Sequence, residues 1–323
     1  MLKILMFIIL VVVVVLEIGL RSLFGFGNPL IYVADEQIGY LLAPNQRTRR
    51  FGNRIEINQY SMRGDAIAKI PAPSTLRVLL LGDSIANGGW WTDRDNTISS
   101  LMMRSLALAT NSNYQQVEVL NASANSWGPR NELAYLQKFG NFNAQVIVLL
   151  INTDDLFATA PSSLQVGRDR NYPDRKPSLA LIEVWQRYLT KQKPIPEMKA
   201  IHNEAGDRVG INLDAIGKIQ ELSRQNHSEF LLVMTPLLRE IGEPGSRDYE
   251  IKARQRLSDF AQTQQIQYID FLPIFNSNSE VKTLFHDHIH LNFKGNEFVS
   301  EIIERSLLEI LNQPHSNLLN SQS

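Results

Sequence analysis

The feature that most constrains the fold is a recurrence of short apolar segments with helix-length amphipathic stretches between and after them. Strand candidates are Val78–Leu81, Val117–Leu120, Val146–Ile151, Phe230–Met234 and Ile266–Ile269. The helix-length stretches fall at 97–109, 130–139, 213–224, 249–263 and 295–311. Runs such as Val78–Leu81 are too short for a helix and do not alternate, which suits a parallel strand covered on both faces. Five strand-to-helix steps therefore predict a mainly parallel sheet of five strands with helices on both sides. A chain of 323 residues, 44% hydrophobic and 20% charged, has ample material for one large domain plus additions. No internal repeat is present.

The first of these strands ends abruptly at Gly82-Asp83-Ser84. In open parallel α/β sheets ligands sit beyond the carboxyl ends of the strands, so Ser84 faces a crevice there and not the core. A helix beginning just after it would leave the Ser84 N–H free near a helix N-terminus. Taken alone, the turn reads equally as chain reversal and helix capping, the ordinary work of Asp and Ser after a strand. The far end of the chain adds Phe285-His286-Asp287-His288-Ile289-His290-Leu291-Asn292 before a final amphipathic helix. In a helical turn Asp287 and His290 project to the same side, so the carboxylate can orient the imidazole, and the pair can serve Ser84 as base and orienter.

With Gly82-Asp83-Ser84 near its start and Asp287-x-x-His290 near its end, the segment 75–312 resembles the SGNH, or GDSL-type, hydrolases. Val119–Ser126 resembles the family's second block, and Leu150–Asp155 falls where the third belongs. Asp35-x-x-Ile38-Gly39-Tyr40, Pro44-Asn45 and Ser61-Met62-Arg63-Gly64 are similar to the lead-in of membrane-anchored members. The resemblance implies a three-layer α/β/α sandwich of flavodoxin-like type and ester hydrolysis or acyl transfer. It implies Ser84 as nucleophile, His290 as general base and Asp287 as its orienter. It also implies an oxyanion hole from the Ser84 N–H, the N–H of a block-two glycine and a block-three asparagine side chain. Here Ser126 occupies the glycine slot and still offers an N–H if its backbone adopts the required geometry. Asp154 occupies the asparagine slot. An ionised carboxylate cannot donate, so Asp154 is protonated by its surroundings, is replaced in role by Asn152, or marks altered chemistry.

Ile4–Leu16 is an unbroken apolar run, extended past Glu17 by Ile18–Leu20. Lys3 supplies a short positive region, and no small-x-small cleavage site follows, so residues 1–26 read as an uncleaved signal anchor or transmembrane segment. Glu17 and Arg21, four apart, are spaced to pair at the interface. Charge hardly distinguishes the two orientations. The family resemblance implies a catalytic domain outside the cytoplasm, periplasmic in a cell that has such a space. Residues 27–74 read as a spacer with short strands, including Arg54-Ile55-Glu56-Ile57, and the cluster Arg47-Thr48-Arg49-Arg50 reads as a solvated loop or a contact for anionic headgroups. The interval 157–210 departs from simple alternation and contains a helix-like Leu179–Leu189; it reads as a cap beside the site or a solvated insertion. The polar tail 313–323 reads as frayed.

Other chemistries find little support. A net charge of −1 argues against a general nucleic-acid binder. With no cysteine there is no disulfide and no thiol nucleophile. His286, His288 and His290 would share a face on a strand and could then hold zinc, but the flanking Asn, Lys and Gly favour a turn, so no metal is expected. His202, His227 and His315 lie in polar stretches and read as exposed. No phosphate loop, His-Glu-x-x-His or Gly-x-Ser-x-Gly motif is present, and no cofactor is expected. Trp90 and Trp91 read as walls of an acyl pocket or as core packing. The resulting expectation is a membrane-anchored serine esterase acting on acyl groups, with envelope or extracellular polysaccharide as substrate. O-acyl transfer to glycans is the second reading, and an inactive anchored module binding a glycan or partner is the third.

Overall fold

The computed structural model describes residues 1–110 and 113–312, so the expectation for the tail 313–323 falls outside the described residues. Helix α1 (Leu2–Gly19) opens the chain, and a wider helical turn, Leu20–Phe24, continues it. Two antiparallel hairpins follow, β1 (Tyr32–Asp35) with β2 (Gly39–Leu42), and β3 (Gln46–Arg50) with β4 (Asn53–Ile57). The second hairpin turns on Phe51 and Gly52, both with positive φ, a backbone twist that matches the flanking strands.

From there strands and helices alternate. In order they are β5 (Thr75–Gly82), α2 (Ser84–Asn87), α3 (Ile98–Ala109), β6 (Gln116–Ser123), α4 (Pro129–Phe139) and β7 (Val146–Asn152). The interval after β7 holds α5 (Ala180–Val184), continued helically to Leu189, and α6 (Met198–His202). Then come α7 (Arg208–Gln225), β8 (Glu229–Thr235), α8 (Asp248–Thr263), β9 (Gln267–Asp270), α9 (Phe271–Asn276) and α10 (Phe293–Asn312).

The five strands β5 to β9 form one parallel sheet in the order β6-β5-β7-β8-β9. This is the flavodoxin-like order, and its direction of winding reverses between β5 and β7. Every residue of β5 and of β7 is buried, as unbroken apolar runs require. Their side chains alternate between two cores. Leu79, Leu81, Ile147 and Leu149 pack with α4, α7 and α8, whereas Val78, Leu80, Val148 and Leu150 pack with α3, α9 and α10. The sandwich is therefore three layers deep, as expected.

Several boundaries differ from the sequence expectation, and the reasons are local. Helix α7 begins at Arg208, five residues earlier than expected, because Asp207 accepts from the Gly210 amide at 3.0 Å and caps it. The expected helical turn at Asp287–His290 is a loop instead, closed by an antiparallel bridge between Phe285 and Leu291 and by the His286 amide donating to the His290 carbonyl at 2.7 Å.

The hairpins pack onto the sandwich and not into solvent. Tyr32, Ile38, Tyr40, Ile55 and Ile57 join the same core as α4 and α7. Buried Arg63, just after β4, reaches the carbonyls of Gly89 and Thr92 and so ties the loop that follows α2. At the other edge Glu183 of α5 is buried, pairs with Arg50 of β3, and accepts from the Gly27 amide at 2.6 Å. The segment 2–24 is apolar and long enough to cross a membrane, with an 18-residue stretch of mean hydropathy 2.8 that is not buried among the described residues.

Candidate active site

The site forms where the winding of the sheet reverses. Gly82 ends β5 beside Ser123 of β6 and Leu150 of β7. A Cβ on Gly82 would stand 2.6 Å from the Leu150 carbonyl oxygen and 2.8 Å from Ala86 Cβ, so only glycine lets α2 start this close to the sheet. Asp83 then caps α2 by accepting from the Ile85 amide at 2.8 Å, which fixes Ser84 at the first helical position. The capping reading and the reactive reading of this turn are therefore compatible: Asp83 caps, and Ser84 is presented.

Ser84 Oγ lies 2.9 Å from His290 Nε2, and His290 Nδ1 lies 2.8 Å from Asp287 Oδ2. The other Asp287 oxygen, Oδ1, accepts from the Ile289 and His290 amides at 2.9 and 2.8 Å. Burial opposes ionisation of Asp287, yet these amides and the imidazole outweigh it and hold the carboxyl down at about 2. Trp91 packs against His290 with ring centroids 4.3 Å apart and stacks on His286 at 5.4 Å, so it walls the site on one side. His288 is exposed at the cleft mouth, whereas His286 and His290 both pack on the Trp91 ring.

Ser126 carries φ of 60°, the left-handed conformation that a glycine would take without strain. Its Oγ accepts from the Tyr172 hydroxyl at 2.9 Å, a contact from the 157–210 interval that spans 46 positions and that no local pattern reveals. Asn152 ends β7, and its Nδ2 donates to Asp83 Oδ2 at 2.8 Å and to Asp155 Oδ2 at 2.9 Å, which occupies both amide hydrogens. Asp154 stands at the cleft wall with its backbone N–H donating to Asn152 Oδ1 at 2.7 Å. Asp154 is exposed to the cleft, and partial desolvation on its protein side raises its carboxyl, opposed by Arg239 and His288 and assisted by Glu250 and Glu240.

Beneath Ser84 lies a group that sequence reading missed. Asp83, Asp155 and Glu132 are buried together, and both Glu132 oxygens lack a hydrogen-bond partner among the described residues. Burial, and then the neighbouring Asp83, push the Glu132 carboxyl well above the ordinary range. The available signal was its place on α4, where Glu132 shares a face with Tyr135 and Leu136.

Ser84, His290, Asn152, Asp154 and Ser126 all line one open cleft with a volume of about 810 Å³. It runs past Trp90 and Trp91 to Tyr40 and Tyr172, and on to Phe26, Arg187 and Tyr188. The expected exposure of His202 and His227 is observed, with His202 at the rim of this cleft, and His315 lies outside the described residues.

A parallel sandwich of flavodoxin-like order, with a hydrogen-bonded serine and histidine at its reversal point, defines a class of α/β hydrolytic proteins. Within that class the GDSL-like Lipase/Acylhydrolase family model matches residues 80–298, and the chain belongs to this family. It is accordingly a hydrolase of ester bonds. No curated protein matches the sequence. Among solved structures, the acetyl xylan esterase AlAXEase is 17% identical, with 72% of this chain and all (100%) of that one covered, at a TM-score of 0.48. Axe2, an acetylxylan esterase from Geobacillus stearothermophilus, is 13% identical over 76% of this chain and 98% of its own, with a TM-score of 0.47. A lipase/acylhydrolase from Enterococcus faecalis is 14% identical over 73% and 96% of the two chains, with a TM-score of 0.43.

Proposed function

We propose that the chain is a membrane-anchored serine esterase that removes acyl groups from envelope or extracellular polysaccharide, using Ser84, His290 and Asp287 as its triad. The observation that carries this reading is the continuous hydrogen-bonded path from Ser84 Oγ through the His290 ring to Asp287. Ser84 Oγ attacks the ester carbonyl carbon while His290 Nε2 takes its proton. The carbonyl π-bond opens to an oxyanion, which collapses with loss of the alcohol, and His290 returns the proton to that leaving oxygen. Water then repeats the sequence on the acyl-enzyme, releasing the carboxylic acid and restoring Ser84. Asp287 remains ionised throughout and keeps the Nδ1 hydrogen facing it, so that Nε2 is the basic nitrogen.

The oxyanion is served by the N–H groups of Ser84 and Ser126, the latter supported by its left-handed backbone. For the third donor the two side-chain candidates differ. Asn152 has already committed both amide hydrogens, whereas Asp154 is exposed at the cleft wall with its carboxyl raised by partial desolvation, and it can donate to an oxyanion only in its protonated fraction. Each such donor lowers the barrier by ~2.7–4 kcal/mol. Trp90, Trp91, Tyr40 and Tyr172 give the cleft aromatic faces beside polar groups, a lining suited to a sugar ring. The apolar segment 2–24 would hold this domain at a membrane, on its extracytoplasmic side.

The test uses the full chain in detergent, with and without Ser84→Ala, treated with a serine-directed phosphonate and assayed on an aryl acetate and on O-acetylated polysaccharide. Labelling, aryl-ester turnover and acetate release that all vanish in the alanine variant support the reading. Labelling without release from polysaccharide, but with acetyl transfer to an added sugar, would favour O-acyl transfer. A folded chain that neither labels nor turns over ester would remove the triad.

A further inference from the structure

The cap carries an apolar surface with no partner, on the side where α1 joins the domain. Leu179, Ile182, Trp185 and Leu189 recur at helical spacing along α5 and its continuation, and all four are exposed. Trp185 is 59% and Leu189 66% exposed, with Tyr188 beside them at 64%. The position of this face is fixed by α1. Both oxygens of Glu17 accept from the first amides of α5, Ala180 at 2.8 Å and Leu181 at 3.1 Å, and the Arg21 side chain donates to the Ser178 carbonyl at 3.0 Å. At 1.5 Å per residue the span 2–24 is about 34 Å long, a little more than a hydrocarbon core of about 30 Å. Centred on that core the span would bury Glu17 about 8 Å deep; with the Glu17–Arg21 pair at the boundary instead, the inserted part is Leu2–Leu16, about 22 Å, a short span met by local thinning of the bilayer, and α5 is clamped at that boundary.

Charge identifies what covers the face. Ile182 also lines a groove of about 590 Å³ whose cations, Arg175, Lys176, Lys191 and Lys193 among them, outnumber its acids Asp169, Asp174 and Glu183. Among the described residues Lys176, Lys191 and Lys193 pair with no carboxylate, in contrast to Arg168 with Glu197 and Arg187 with Glu183. A Trp- and Tyr-bearing apolar face edged by free lysines fits the interfacial layer of a bilayer, where aromatic rings lie at headgroup level and cations meet lipid phosphates.

We propose that the 179–193 segment is a membrane-contact platform, with Ile182, Trp185 and Leu189 seated in the headgroup layer of an anionic bilayer and Lys191 and Lys193 on its phosphates. It rests on the reading of 2–24 as a membrane span, and it adds a second contact that fixes the tilt of the domain. Because the main cleft reaches Phe26, Arg187 and Tyr188, this platform sets one end of the cleft beside the lipid surface.

The chain has no cysteine, so single labels can be introduced without background. Full-length Val12→Cys, Trp185→Cys and Glu221→Cys would each carry a bimane and be reconstituted into vesicles of phosphatidylethanolamine with phosphatidylglycerol. Quenchers are placed either at the headgroup or deep in the acyl chains. The expected pattern is deep quenching at 12, shallow quenching at 185 several-fold above that at 221, and loss of most of the shallow signal when Lys191→Glu and Lys193→Glu are added. If 12 is quenched but 185 behaves like 221, the platform is refuted and the anchor stands. If 12 is unquenched, both fail. Equal quenching at 185 in purely zwitterionic vesicles, unaffected by the two lysine changes, refutes anionic headgroups as the occupant.

Discussion

Asp287→Asn separates an orienting role for this residue from a merely structural one, because the structure fixes which way the new amide would turn. Oδ1 of Asp287 accepts from two backbone amides, Ile289 and His290, and only an oxygen can remain there. The asparagine carbonyl takes that place, and its NH2 faces His290 Nδ1, now obliged to accept. The imidazole hydrogen moves to Nε2 and points at Ser84 Oγ, 2.9 Å away, where a base is required. The loop keeps both capping bonds, so the fold is retained while the tautomer is wrong. The loss expected for a mis-tautomerised triad is about 10⁴ in kcat, equivalent to about 5.4 kcal/mol of barrier. The assay is steady-state turnover of an aryl acetate by the full chain in detergent, with the melting temperature measured in parallel. Asp287→Ala should lose activity and also a cap contribution of ~0.5–2 kcal/mol, lowering the melting temperature where Asn does not. Activity of Asp287→Asn within tenfold of the parent, at unchanged stability, would refute the assigned orientation of His290.

Three further perturbations test neighbouring groups. Asp154 donates only while protonated, so parent activity should fall as pH rises through its raised pKa; Asp154→Asn should abolish that fall and exceed the parent on the alkaline side by up to about 10²-fold, read from the pH profile of kcat. Glu132 has a folded pKa raised above its ordinary 4.5, so its favourable contribution is complete below that value and declines as pH rises toward the folded pKa; Glu132→Gln should remove a slope of ~1.4 kcal/mol per pH unit, seen as a melting-temperature advantage over the parent that widens from pH 5 to 6. Glu183→Gln leaves buried Arg50 without its counter-charge and should cost ~3–5 kcal/mol, measured as a lowered melting temperature, whereas Arg47, which is exposed, should tolerate Arg47→Gln with no measurable change.

What the sequence revealed and what it hid follow from how far each interaction reaches along the chain. The strands β5 and β7 were legible because burial on both faces demands unbroken apolar runs, and Ser84 was legible because Gly82 ends such a run. Asp287 and His290 were legible as a pair because they are three apart, although the backbone that joins them is a bridged loop and not a helical turn. The contacts that tune the site are long-range. Asn152 reaches Asp83 across 69 positions, and Tyr172 reaches Ser126 across 46; no periodicity encodes either. In the sequence Arg63 stands out only through its place in a lead-in motif, yet it is buried and grips the loop behind Ser84, with burial bringing its guanidinium down to about 10.

The exchange of residues at the end of β7 follows from the acids below it. Asp83 must stay where it caps α2, and Asp155 must stay where Oδ2 receives the Asn152 backbone amide at 2.8 Å, so two buried carboxyls converge with Glu132 nearby and, among the described residues, no cation hydrogen-bonded to them. A bare strand end would leave them facing each other at a cost of several kcal/mol for an unpaired buried charge. Asn152 supplies one hydrogen to each and separates them. Having been spent there, its amide cannot also serve an oxyanion, and the cleft-facing position two residues later is the next one whose side chain reaches the opening. An acid is tolerated at that position because the side chain is exposed to the cleft water; partial desolvation raises its pKa, with Arg239 and His288 opposing and Glu250 and Glu240 assisting. Asp154 in turn raises the Asp155 carboxyl that the Asn152 amide serves, so residues 152 and 154 are electrostatically linked and changing either alone should perturb the other.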